Sequence, residues 1–238
     1  MNQPVNINWE NYWSELPRER GLPVWDSDGS VTAVAQLPLF QPTFGQRLPV
    51  LDIGCGNGTQ TAALAEHFPT VIGLDFAPAA IEHARALQVG TSTQFRQFDL
   101  ADADAAAEIH RELGDTNIYL RGVLHQMPDD RRPAAAASLA TLLGSTGHLF
   151  AVELTPSAGM TIKSALGQSP DAVPKLQRVF HYGLTPAAWS EGKLESVLGT
   201  AGIDIVDSGD ITLHGTDTLP DGSSFDLPMT YLLARTAR

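Results

Sequence analysis

Three glycines spaced two apart, Gly54, Gly56 and Gly58, punctuate the run Leu51-Asp52-Ile53-Gly54-Cys55-Gly56-Asn57-Gly58-Thr59. Such spacing lets a backbone turn sharply and approach a ligand without Cβ contacts. A helix that starts just beyond it presents unpaired N–H groups. The dinucleotide fingerprint is G-x-G-x-x-G. Here the third glycine comes one residue early, which speaks against a nicotinamide cofactor and suits a ligand with no pyrophosphate to cradle. Two acids follow in order. Asp75 closes Val71-Ile72-Gly73-Leu74-Asp75, 21 residues after Gly54, where an acid accepts hydrogen bonds from ribose hydroxyls. Asp99 closes Phe95-Arg96-Gln97-Phe98-Asp99. Either acid alone reads equally as a helix N-cap. In this order with Asp52, the set predicts a nucleoside site.

The elements that must position these residues alternate regularly. Strands are predicted over 50–53, 71–74, 94–98, 117–124 and 148–153. Helices are predicted over 57–68, 78–87, 101–113 and 129–143, with Pro78 suited to a first turn and Gly144 closing the last. This alternation predicts a doubly wound α/β fold with a mostly parallel sheet and helices on both faces. The carboxyl ends of neighbouring strands share one sheet edge, so Asp52, Gly54, Asp75 and Asp99 converge on one crevice. Residues 203–213 and 227–234 read as two strands with Asp221-Gly222 turning between them, an antiparallel hairpin that finishes the sheet. Between 155 and 183 no period is clear, and one or two short helices are expected. Thr185-Pro186 is a helix-start pair, Ser190 offers a second start, and Leu194, Val197 and Leu198 supply the apolar face that follows. Residues 1–46 stand apart as an arm or lid holding three of the four tryptophans. Residues 8–16 there suit a short amphipathic helix, and Pro17, Pro23, Pro38 and Pro42 argue against long helices beyond it. An ordinary helix covering the end of the core is the alternative to a lid.

The segments Leu51 to Gly58, Val71 to Asp75 and Phe98 to Leu100 resemble the first three motifs of the class I S-adenosylmethionine-dependent methyltransferases. The resemblance runs from about Pro49 to Ala234. It implies a seven-stranded Rossmann-like sheet whose last strand is antiparallel, with the catalytic domain over 47–238 and an acceptor-site insertion at about 155–186. It also implies roles around S-adenosyl-L-methionine. The backbone from Gly54 to Gly58 lines the methionine part, with Asp52 nearby. Asp75 holds the ribose hydroxyls, Asp99 accepts from the adenine amino group, and the Leu100 backbone meets the ring edge. Gln60 and Phe76 are neighbours. Cys55 is common at its motif position and reads as packing rather than chemistry.

Acceptor chemistry is expected at the end of the fourth strand, in Leu120-Arg121-Gly122-Val123-Leu124-His125. A neutral His125 imidazole can take the proton of an acceptor hydroxyl, though histidines at this place are also often structural. Arg121 reads as a cofactor or acceptor contact, or as the partner of a buried acid. Glu153 reads as an acceptor contact or an ion-pair member. His181, in Val179-Phe180-His181-Tyr182-Gly183, is a second candidate base in the segment where small-molecule relatives build an acceptor wall. Trp25 suits stacking on a ring, or simple packing.

The chain has 238 residues, 43% hydrophobic and 18% charged, with net charge -12. A nucleic-acid partner calls for a basic stripe, and none is visible. The chain also lacks the Asn-Pro-Pro-Tyr motif of base-amine methylation. The expected partner is therefore a small-molecule acceptor, at oxygen by preference (a sugar hydroxyl, phenol or carboxylate), with nitrogen and carbon open. A non-catalytic nucleoside-binding protein on the same fold is the rival reading. Cys55 is the single cysteine, no signal-like start or long apolar stretch is seen, and the cytoplasm is the expected compartment. The histidines show no paired ligand spacing, so no metal is expected. A homodimer stays open.

Overall fold

The computed structural model describes residues 5–44, 47–88, 90, 92–168, 173–185, 190 and 192–237. Its strands are β1 (Val50–Ile53), β2 (Val71–Asp75), β3 (Gln94–Gln97), β4 (Asn117–Arg121), β5 (His148–Leu154), β6 (Ile203–Thr218) and β7 (Ser224–Thr236). They form one sheet in the order β3-β2-β1-β4-β5-β7-β6. Strands β1 to β5 run parallel, and β7 is antiparallel to both β5 and β6. The order reverses at β1, which pairs with β2 on one side and β4 on the other. That reversal is the switch point where a doubly wound sheet opens a crevice.

Each strand feeds two cores through its alternation. Val50, Tyr119, Phe150 and Val152 face one side, whereas Leu51, Ile118, Leu149 and Ala151 face the other. On the first side lie α1 (Val5–Glu15), α2 (Ala33–Phe44), α7 (Ala158–Gln168) and α8 (Pro174–His181). They contribute Tyr12, Phe40, Ile162 and Leu176. On the second lie α5 (Ala103–Leu113), α6 (Arg132–Leu143) and α9 (Lys193–Thr200), with Ala106, Leu139 and Leu198. The helices α3 (Thr59–Ala65) and α4 (Pro78–Leu87) follow β1 and β2. Because both faces are covered, β1 is buried at all four positions, Asp52 included.

Several boundaries differ from the sequence expectation. Helix α2 runs twelve residues through Pro38 and Pro42, where prolines argued against a long helix. Both prolines are exposed and four residues apart, so the lost backbone bonds fall on the solvent face. The opposite face packs Phe40 against Phe44, Phe68, Tyr119 and Phe150. That burial of aromatic area holds the helix. Strand β4 ends at Arg121 rather than at Leu124, because Gly122 turns with φ 71° and a one-turn helix, Leu124–Gln126, follows. Gly192, not Ser190, precedes α9, and Pro186 lies outside the described residues. The closing hairpin is longer than its apolar runs suggested. It spans a tight turn in which Gly222 takes φ 84° and the Leu219 N–H donates to the Ser223 carbonyl.

Candidate active site

The glycine turn leaves β1 at the switch point. Gly54, Gly56 and Gly58 take φ of 76°, 54° and 78°, a region that penalises any Cβ. Space forbids one as well. A Cβ on Gly54 would lie 2.3 Å from Val123, and one on Gly56 would lie 2.9 Å from the Trp13 ring. The turn is thus pressed between the β4 loop and the N-terminal helix.

Asp75, at the tip of β2, accepts from the Gly56 N–H and the Ala77 N–H, both at 2.9 Å. Burial outweighs these donors and raises its carboxyl above the ordinary value. Asp99 accepts from the Ala101 N–H at 3.0 Å and pairs with Arg131 at 2.7 Å. Both acids therefore brace loops, but neither is the N-cap it could have been, since Ala77 and Asp102 hold those positions, and both line the crevice beside Phe76 and Leu100. Asp52 is buried under the turn and accepts from the Thr61 hydroxyl at 2.6 Å. Burial pushes its carboxyl up to about 6, against the pull of Thr61 and Arg121. Cys55 is buried among Ile81, Ala84 and Phe95, and burial holds its thiol well above the ordinary range. It packs and does not ionise.

The opposite wall comes from β4 and β5. Glu153 is buried and has four donors. The Val123 and Leu124 N–H groups give to one oxygen at 3.0 and 2.8 Å, and the His125 N–H gives to the other at 3.0 Å. The fourth is the His125 ring, whose Nδ1 lies 2.5 Å from the same oxygen. A carboxylate there fixes Nδ1 as the protonated nitrogen and leaves Nε2 able to accept. Among the described residues Nε2 makes no hydrogen bond, and His125 lines the crevice. Arg121 donates to the Trp25 carbonyl at 3.2 Å.

The crevice encloses about 1600 Å³, part of it open to solvent. The structure brings together Asp52, Gly54, Cys55, Gly56, Asp75, Phe76, Asp99, Leu100, Arg121 and His125 on its lining. Gly58 stands behind the turn against Phe95. His181 is not brought in. It is exposed at the end of α8, while Val179 and Phe180 of the same helix face the crevice. On a 3.6-residue period an inward 176, 179 and 180 leaves 181 on the outer face. Gln60 does line the crevice, and its amide also braces the arm through the Ser27 carbonyl and the Ala33 N–H. Sequence reasoning missed Arg131, whose only signal was that a crevice acid needs a counter-charge. It also missed Trp13 as the cover of Gly56, although the crowding of tryptophans in the arm pointed that way.

A methyltransferase-domain family model matches residues 50–147. The crystal structure of an S-adenosylmethionine-dependent methyltransferase from Anabaena variabilis is 31% identical and superposes with a TM-score of 0.90, covering 99% of this chain and 96% of that one. The chain belongs to the class I S-adenosylmethionine-dependent methyltransferases. Among curated relatives, this methyltransferase is 35% identical over 125 residues to trans-aconitate 2-methyltransferase of Methylobacterium radiotolerans, a match over 51% of this chain and 41% of that protein. It is 28% identical over 177 residues to a ubiquinone biosynthesis O-methyltransferase of Pseudomonas fluorescens, over 58% and 72%. The methyltransferase thus spans less than half the length of the trans-aconitate relatives it matches. Its sheet, with the terminal antiparallel hairpin, is the family's. Among its described residues no helix is long and apolar enough to cross a membrane.

The residues at the switch point fit the family's methyl donor. The carboxylates of Asp75, at the end of β2, and Asp99, just beyond β3, are able to accept from hydroxyl and amino groups, Phe76 and Leu100 offer apolar surface for a base, and the glycine turn allows close backbone approach.

Proposed function

We propose that this protein transfers a methyl group from S-adenosylmethionine to an oxygen of a small molecule. The His125–Glu153 pair beside the glycine turn is the observation that carries the reading. S-adenosylmethionine, when bound, supplies a methyl group on a sulfonium that is readily displaced. The Gly54–Gly58 backbone and Asp52 hold its amino-acid end, Asp75 its ribose, and Asp99 with Leu100 its base. Glu153 keeps the imidazole in one tautomer, as in other carboxylate–histidine pairs. His125 Nε2 then accepts the acceptor's hydroxyl proton as the oxygen–carbon bond forms. Holding both reactants in line supplies much of the rate. The N-terminal arm covers the crevice through Trp9, Trp13 and Trp25, which supports its role as a lid.

Calorimetry with S-adenosylhomocysteine, paired with turnover, tests the reading. His125→Asn is expected to keep that affinity within twofold and to lower turnover at least tenfold. An unchanged rate in the variant would make His125 structural.

A further inference from the structure

We propose that the acceptor is a largely apolar, planar phenol, and not a sugar or a polycarboxylate. The proposal rests on the oxygen-transfer reading above and narrows it. The crevice is divided along its length. Its acids gather at the switch-point end, where the donor fits. The other end is a chamber walled by Trp25, Ile162, Val179, Phe180, Leu213 and Met229. These side chains come from the arm, α7, α8 and the closing hairpin, and every one lies outside the matched stretch 50–147. The acceptor wall thus lies outside the matched methyltransferase domain, and the chamber's own side chains are what define the acceptor.

Apart from the Gln126 amide, the polar side chains of the lining leave little for a hydroxyl-rich ligand. Asn57 is bonded to Asp26 at 2.6 Å, Gln60 to the arm backbone, and the Tyr119 hydroxyl to Gln36 at 2.8 Å. A sugar would bury hydroxyls without partners, which is strongly disfavoured. A polycarboxylate fares no better. Asp26, Asp52, Asp75 and Asp99 line the same crevice, and Arg131 is already paired with Asp99. Arg121 has no carboxylate within ion-pair distance among the described residues. One guanidinium serves one developing oxyanion. A phenol matches this pattern, with a flat apolar body for the aromatic wall and one ionisable oxygen for the His125 and Arg121 end.

The test is calorimetry of the full chain at saturating S-adenosylhomocysteine, titrated with 2-naphthol, methyl glucoside and trans-aconitate. 2-Naphthol is expected to bind, and the other two to bind at least tenfold more weakly. Phe180→Ala and Ile162→Asn should each weaken 2-naphthol at least fivefold while S-adenosylhomocysteine stays within twofold, which also certifies their folding. The proposal is overturned if methyl glucoside or trans-aconitate binds as tightly as 2-naphthol, or if neither variant changes 2-naphthol binding. Failure of S-adenosylhomocysteine to bind wild type would remove the donor reading and this one together. Binding of 2-naphthol without methyl transfer would overturn the phenol as acceptor and count against oxygen transfer, since the chamber would then be shown to hold a ring that the enzyme does not use.

Discussion

Asp52 keeps a carboxyl where its charge is costly. Burial raises it to about 6, so the folded protein holds that proton more tightly than the unfolded chain does. The stability this contributes is whole below about pH 4 and is lost as pH climbs through 6. Asp52→Asn retains an acceptor for the Thr61 hydroxyl and never ionises. Chemical denaturation at pH 7.5 is expected to find it more stable than wild type by up to roughly 3 kcal/mol, with the two converging near pH 4. A pH-independent difference would contradict the strained carboxylate. The neighbouring Asp75 is shifted in the same direction by burial, which its backbone donors only partly offset. Asp75→Ala should weaken S-adenosylhomocysteine binding by at least about 1 kcal/mol in calorimetry, through lost bonds to the ribose. Glu153 is the most constrained acid of the three. An amide in its place cannot accept at both ends, so Glu153→Gln turns an N–H toward donors of the 123–125 turn. Denaturant titration is expected to register a loss of about 3 kcal/mol, and turnover should fall with it.

At the level of elements, the arm is docked rather than draped. The Glu10 carboxylate accepts from the Ala79 N–H at 3.0 Å, so α1 caps the start of α4. Arg18 pairs with Glu82 and Arg20 reaches Gln88 along the same helix. Trp13 then lies on Gly56. Glu10→Ala should cost about 1 kcal/mol in thermal or urea unfolding and should weaken S-adenosylhomocysteine binding, because the cover of the glycine turn loosens. A stability loss with unchanged affinity would make the arm a brace and not a lid. This contact also marks the limit of what the sequence conveys. Strand and helix periods with glycines and acids at strand tips are local signals, and they placed β1 to β5, α4 and most of the residues that line the switch-point end of the crevice. Docking is not local. Nothing near Pro38 and Pro42 reports that Phe40 will meet Phe150 across the sheet. The apolar face Leu176, Val179 and Phe180 is readable beside His181 once Pro174 marks the start of α8, but the segment as a whole, 155–183, shows no period that bounds that helix. Glu153 was visible as a strand-end acid, but its partners lie 28 to 30 residues away.

Across the whole molecule, one core joins the ends of the chain. Tyr12 and Phe40 from the first helices share a cluster with Phe225 and Met229 from the last strand. The crevice is lined from the arm, the β1–β5 half and the hairpin alike. A protein built this way has no separable lid domain or tail domain, so its unfolding is expected to be one cooperative transition. A ligand in the shared crevice then stabilises all parts together. At one hundred times its dissociation constant, S-adenosylhomocysteine adds about 2.7 kcal/mol. For a chain of this length that corresponds to a rise in melting temperature of roughly 5 to 10 °C. Differential scanning calorimetry should show a single endotherm that moves upward as a unit. If the arm were an independent flap, a first small transition would stay in place while only the second moved, and the contacts of Tyr12 and Trp13 with the core would have to be weaker than their burial implies.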